Sequence, residues 1–244
     1  MLEKVKEAFD KYTNNYDMTN KNIRLKYEHS YAVMDLMGEL AFRLNLDKEK
    51  IELAKIIGLL HDIGRFEQLK EYNSFSDDNI DHGDYGADYL FKENNIKEFL
   101  DTDEYNGIIE KAIRYHNKLD IPKGLDNLEL LFTQMIRDMD KVDIFKQVAL
   151  KYEIVFNSNE VTEKVLKDFS KEKLVNKRDV KTDTDSNLET LSFIFDINFN
   201  ESFDILVDTD NFDLYLSMVE VDENSEKLWK KVREVCFDKI NRGV

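Results

Sequence analysis

The chain has 244 residues, a single cysteine and a formal net charge of −16, with 51 Asp and Glu against 35 Lys and Arg. That balance repels a polyanionic duplex and no block of Lys or Arg offsets it, which excludes long nucleic acid while leaving room for a small phosphorylated ligand beside a bound cation. The lone Cys236 excludes an intramolecular disulfide, and apolar stretches of only a few residues fall far below the roughly 20 needed to cross a bilayer; no membrane span, no signal peptide and a cytoplasmic location are expected.

One proline and eight glycines leave little to interrupt helices, and the apolar spacing is mostly of helical period, so an all-α fold is expected. A first amphipathic helix is predicted over Leu2 to Tyr12 and a second over Leu25 to Leu44, with Val33, Leu36, Met37, Leu40 and Leu44 as its apolar stripe. Asp47 reads as the N-cap of a third, which carries Ile51, Ala54, Ile57 and Leu60 and stops at His61-Asp62-Ile63-Gly64, where Gly64 is expected to take the left-handed C-terminal conformation. Gln68 to Asp81 is polar and reads as a functional loop. Helices are then predicted over Gly83 to Glu93, Tyr105 to His116 and Asn127 to Phe156.

Beyond Asn157 the pattern weakens: Glu163 to Leu174, Leu188 to Ile197 and Glu226 to Asn241 read as helices, and Lys177 to Asn187 as a charged loop. Phe193, Phe195, Phe199 and Phe203 are expected to form an aromatic core cluster, and Cys236 to be a core residue. With no Pro/Gly/Ser linker, residues 1–244 are taken as one domain.

All four histidines enter one pattern: His29, His61 followed by Asp62, His82 and His116, with Asp140 closing it within Met139-Asp140-Lys141-Val142-Asp143. Imidazole and carboxylate are the donors a borderline transition metal selects. Neighbours on a helix diverge by about 100°, so His61 and Asp62 reach one ion only where the helix stops, and the carbonyls at such an end favour a cation by about 0.3–1 kcal/mol. His116 shares a face with Ile108 and Ala112, and Asp140 shares one with Phe132, Ile136 and Ile144, so both point toward a core.

His29, the doublet in Leu60-His61-Asp62-Ile63-Gly64-Arg65, and Asp140 in Arg137-Asp138-Met139-Asp140-Lys141-Val142-Asp143 resemble the HD superfamily of metal-dependent phosphohydrolases over about residues 24–145, and Phe66 to Gly86 resembles an uncharacterised bacterial branch of it. The resemblance implies an HD-type helical bundle with its metal site in a central cleft, followed by a helical C-terminal extension over about 157–244. It further implies a binuclear centre of two divalent transition-metal ions, Mn, Fe, Co or Ni with Mg as a further option. One ion takes His29, His61, Asp62 and Asp140, the other His82, His116 and the second oxygen of Asp62, and a water they share attacks the phosphate ester.

Arg65, just after Gly64, is a candidate for holding a phosphate oxygen bidentately. Lys141 is a candidate either for offsetting developing negative charge or for pairing with Asp62 or Asp143, and Asp138 and Asp143 for accepting from ligand imidazoles or for capping locally. The catalytic candidates are thus Asp62, Arg65 and Lys141. Tyr115-His116 stands where the cyclic-dinucleotide branch has a His-His pair, and Ile121-Pro122-Lys123-Gly124 lacks that branch's Gly-Tyr-Pro; Leu25, four residues before His29, is no carboxylate for a third metal. Hydrolysis of a small phosphate ester, a nucleotide or a related phosphorylated metabolite, leads. An HD-type di-iron oxygenase and a non-catalytic nucleotide-binding regulator are the alternatives.

Overall fold

A computed structural model describes residues 1–243. Among them the chain is all-α apart from one two-stranded sheet, and its internal contacts divide it into two compact units, Met1–Asp140 and Lys141–Val244. No described helix is long and apolar enough to cross a membrane.

In the first unit, α1 (Leu2–Thr13) buries Val5, Phe9 and Thr13 at four-residue spacing, and Phe9 meets Phe66 edge to face with centroids 5.8 Å apart. α2 (Lys21–Arg43) and α3 (Lys48–Leu60) start at Asn20 and Asp47, whose side chains accept from the backbone N–H of Asn22 and Lys50 at 2.9 Å, caps worth about 1 kcal/mol each. α2 and α3 pack with their backbones in near contact. A Cβ at Gly58 would lie 2.8 Å from Met34 Cα and Val33 O, so the approach depends on glycine. Met37, Leu40, Ile57, Leu60, Ile113, Phe132 and Ile136 are completely buried in this unit, each stabilising it by about 1.5–3 kcal/mol.

Only His61 and Asp62 separate the end of α3 from α4 (Ile63–Tyr72). The expected left-handed Gly64 is not found: Gly64 lies inside α4 without a positive φ, and what it satisfies is a close crossing, since a Cβ there would fall 2.2 Å from His82 O and 2.8 Å from Gly86 N. The left-handed residue is instead Asn73, φ 46°, which ends α4, so the loop runs over 73–81 rather than from Gln68. The helix expected from Gly83 to Glu93 is a short α5 (His82–Ala87) passing into a π turn at Asp88–Lys92, followed by α6 (Ile96–Phe99). α7 (Asn106–Tyr115) matches its predicted span within a residue. α8 (Asn127–Lys151) opens with a capping box, Asp126 accepting from Leu128 and Glu129 N–H while Glu129 accepts from Asp126 N–H.

In the second unit β1 (Ile154–Phe156) occupies what reads in sequence as the end of α8. Its residues alternate buried, exposed, buried, and it pairs in parallel with β2 (Val219–Val221) in the register Ile154 to Val219. The other elements are α9 (Glu163–Phe169), α10 (Asp183–Leu191), α11 (Asn200–Asp208), α12 (Asn211–Ser217) and α13 (Glu226–Gly243). α10 starts inside the segment expected to be a charged loop, because its buried face carries Thr184, Asp185 and Asn187 as well as Leu188, which hides the apolar period. α11 and α12 escaped the sequence reading. Three of the four phenylalanines have separate partners: Phe193 meets Phe145 edge to face with centroids 6.4 Å apart, Phe195 meets Phe169 edge to face at 5.1 Å, and Phe203 lies against Gly243. Cys236 is fully buried, as expected of a core residue.

Candidate metal centre

The four histidines, Asp62 and Asp140 come together within the first unit, and the local backbone explains how. α3 and α7 each end one residue short of a histidine, His61 and His116, both in right-handed helical conformation. At a helix end the last carbonyls have no amide partner. Each ring answers one of them, His61 Nδ1 donating to Gly58 O at 2.7 Å and His116 Nδ1 to Ile113 O at 2.6 Å, and this turns both Nε2 atoms inward. Asp62 stands at the N-cap of α4 but makes no capping bond with its side chain, so its carboxylate faces the histidines. His82 opens α5 behind the cap Asp81, and its Nδ1 lies 2.7 Å from Asp77 Oδ1.

The two oxygens of Asp62 face different partners. Oδ2 is 3.6 Å from His29 Nε2 and 3.5 Å from His61 Nε2, and Asp140 Oδ1 closes that group at 3.0 and 3.6 Å from the same two nitrogens. Oδ1 is 3.2 Å from His82 Nε2 and 3.5 Å from His116 Nε2. Donors each about 2.1 Å from a common ion lie roughly 3.0–3.4 Å apart, so both groups have the spacing of a coordination shell. Two triads, His29-His61-Asp140 and His61-Asp62-His116, are compact enough to hold an ion.

Proton positions favour a cation as well. A carbonyl oxygen only accepts, so Nδ1 of His61 and of His116 carries a ring proton, and in the neutral form of such a ring Nε2 is a lone pair. His61 Nε2 is buried without a hydrogen-bond partner and faces two carboxylates, which are also acceptors only. Burial pushes the His116 imidazole down to about 4 against the opposing pull of Asp62, so the ring is neutral at pH 7. His82 in turn donates Nδ1–H to Asp77, which leaves its Nε2 facing His116 Nε2 at 2.9 Å. Lone pairs converging in this way repel one another and suit a positive ion that accepts from all of them.

Burial alone would raise the Asp62 carboxyl, but the Lys26 ammonium beside it is the largest opposing influence and the carboxyl is held well below the usual carboxylate range. Asp140 is likewise held low, chiefly by its hydrogen bond with His29. Asp77 is low despite its burial because His82, Arg65 and Gln68 surround it.

The remaining candidates are differently placed. Arg65 Nη1 donates to Gln68 Oε1, Phe75 O and Asp77 Oδ1, which ties the loop 73–81 to α4, while its buried Nε has no hydrogen-bond partner and stands 3.7 Å from Asp62 Oδ1. Lys141 belongs to the second unit and is ion-paired with Asp196 at 2.8 Å, a partner the sequence does not point to. Asp138 and Asp143 do not receive the Nδ1–H of His61, His82 or His116, which go to Gly58, Asp77 and Ile113; Asp143 accepts from Gln147.

Three further residues enter with the structure. Lys26 binds Asp62 Oδ2 at 2.6 Å; its signal in the sequence is its position three before His29, one turn away on the same face of α2. Asp77 orients His82. Arg137, three before Asp140 and 2% exposed, donates to the carbonyls of Tyr115, His116, Lys118 and Leu119, gathering the free end of α7 that carries His116.

The family model described as HD domain matches residues 27–153, just over half of the chain. No curated protein and no solved structure matches it. The matched segment contains all six clustered residues, in a helical scaffold that sets the His-Asp doublet at a helix end against histidines and an aspartate from four other segments. The chain therefore belongs to the HD-domain family of metal-dependent hydrolases.

Proposed function

We propose that the chain is a phosphohydrolase that cleaves a small phosphate ester, a nucleotide or a related phosphorylated metabolite, at a pair of divalent metal ions. The observation that carries the proposal is the division of Asp62, with Oδ2 turned to His29 and His61 and Oδ1 to His82 and His116. A carboxylate that faces two donor groups with opposite oxygens is the residue that would bridge two ions. His29, His61 and Asp140 would complete one set, and His82 and His116 the other.

When bound, two such ions supply Lewis acidity that activates a water and stabilises negative charge on the phosphoryl oxygens. The chain's own residues hold the donors ready. Gly58 O, Ile113 O and Asp77 fix three imidazoles in the tautomer that offers Nε2, so no ring has to turn or lose a proton at a late stage. The Nε of Arg65, 3.7 Å from Asp62 Oδ1 and without a hydrogen-bond partner, is a donor available to a phosphate oxygen. In the reaction an oxygen of water bonds to phosphorus, the ester P–O bond breaks, and a proton leaves with the departing alcohol. Lys141 is held by Asp196, and a part for it in compensating charge is tested by Lys141→Met.

The test is a panel of phosphomonoesters, phosphodiesters, nucleotides and phosphonates, assayed with Mn²⁺, Mg²⁺, Co²⁺ or Fe²⁺ in air and under anaerobic conditions, together with elemental analysis of the protein. Phosphate or nucleotide release that persists without oxygen and disappears with chelator is expected, with about two ions per chain. Turnover with iron alone that also requires oxygen would replace this reading by the di-iron oxygenase. Binding of nucleotides without turnover under any metal would replace it by the regulator.

A further inference from the structure

Lys26 lies one turn before His29 on α2, its side chain 12% exposed and its Nζ 2.6 Å from Asp62 Oδ2. That oxygen is the same one that faces His29 and His61. The ammonium therefore already supplies positive charge where the donor set would hold an ion. A dication sharing Oδ2 would stand within a few ångströms of it, and like charges at that separation in a buried setting repel strongly. Phe75, from the loop 73–81, adds a second feature: its ring lies 5.8 Å from Lys26 Nζ and 5.9 Å from Arg65 Cζ, so one aromatic ring lies beside both cations next to Asp62. A lysine head is a compact charge on a flexible four-carbon stem, free to exchange one anionic partner for another, whereas Arg65 is pinned by three acceptors through Nη1.

We propose that Lys26 is an exchangeable cation: in the metal-free chain it neutralises Asp62, and when metal occupies the donor set it leaves Oδ2 and becomes the contact to a phosphate oxygen of the substrate. This rests on the binuclear reading of the same site. It assigns Lys26 a sign opposite to that of Asp77, since Asp77 supports the donor set and Lys26 competes with its ion. Lys26 and Arg65 Nε then offer two donors to one anion, which suits a phosphate group carrying several oxygens.

The experiment uses the full chain as wild type, Lys26→Met and Lys26→Arg, each stripped with chelator, desalted, and titrated in a calorimeter with Mn²⁺ and then, loaded with Mn²⁺, with inorganic phosphate. Lys26→Met should bind Mn²⁺ about tenfold more tightly and phosphate about tenfold more weakly than wild type, the size expected for one charge-assisted contact, and Lys26→Arg should return both constants toward wild type. If Lys26→Met fails to fold, as judged by melting in chelator, Lys26→Gln serves for the same comparison. Equal or weaker Mn²⁺ binding by the variant, or unchanged phosphate affinity, overturns the proposal while the metal-centre reading stands. A wild type that takes up no Mn²⁺ overturns both.

Discussion

Two buried carboxylates, one in each unit, behave in opposite ways. Asp185, fully buried at the start of α10, accepts from Thr162 N–H, the Thr162 hydroxyl and Lys181 N–H, all neutral donors of its own surroundings, and these hold its carboxyl below the usual range against the pull of burial. Asp62, 2% exposed, has no such set: Lys26 is its close donor, and it otherwise faces His29 Nε2 and the Nε2 atoms of His61, His82 and His116, whose Nδ1–H groups go to Gly58, Asp77 and Ile113. A carboxylate supplied with its own donors braces a fold. One aimed at lone pairs is arranged for a cation, and burial by itself does not distinguish the two.

The comparison breaks first at Asp62 itself. Asp62→Ala should reduce turnover by about 10⁴-fold or more by removing a donor from both groups at once, while melting in chelator moves less than it does for Asp185→Ala; steady-state kinetics and thermal denaturation read the two effects. Asp185→Ala should be the reverse. Thr162 and Lys181 lose a buried charged acceptor, so unfolding in urea should show a loss of about 3–4 kcal/mol, with activity per folded molecule unchanged. Equal stability losses for the two variants would mean that Asp62 is a structural residue like Asp185.

Asp77→Ala sharpens the comparison by one step of distance. It removes the acceptor for His82 Nδ1–H without removing a donor to metal, and should weaken metal binding by about 10–100-fold, seen by titration as loss at one of two sites. The smallest effect belongs to a third, half-buried acid. Burial pushes Glu189 in α10 up to about 7, with Lys177 opposing only in part. Its folded-state value lies above the ordinary 4.5, so the folded chain binds the extra proton and its stability falls as pH rises from about 4.5 to 7. Glu189→Gln should therefore match wild type near pH 4.5 and exceed it by about 1–2 kcal/mol at pH 8 in urea unfolding.

The sequence alone determines the helical class, the spans of α1, α2, α3, α7 and α13 to within a few residues, and the set of four histidines and two aspartates. These are carried by local signals: apolar residues at helical spacing, capping residues such as Asp47, and donor types that are scarce in the chain. Where a partner arrives from far along the chain, local signals fail. Ile154–Phe156 reads as helix until Val219–Val221 supplies its backbone acceptors and donors, and α10 hides its period because Asp185 is matched by Thr162 and Asn187 donates to Val155 O.

At the metal centre the same limit holds. Gly64 is needed for a crossing with His82 and Gly86 rather than for a turn, Arg137 acts on a helix end some twenty residues earlier, and Lys26 reaches a carboxylate on another helix. Residue type and spacing identify which groups could bind a metal. Only the tertiary structure decides which oxygen of Asp62 each histidine faces and which cation stands beside it, because those facts depend on how close separate helices come, and that is set by packing rather than by any local pattern.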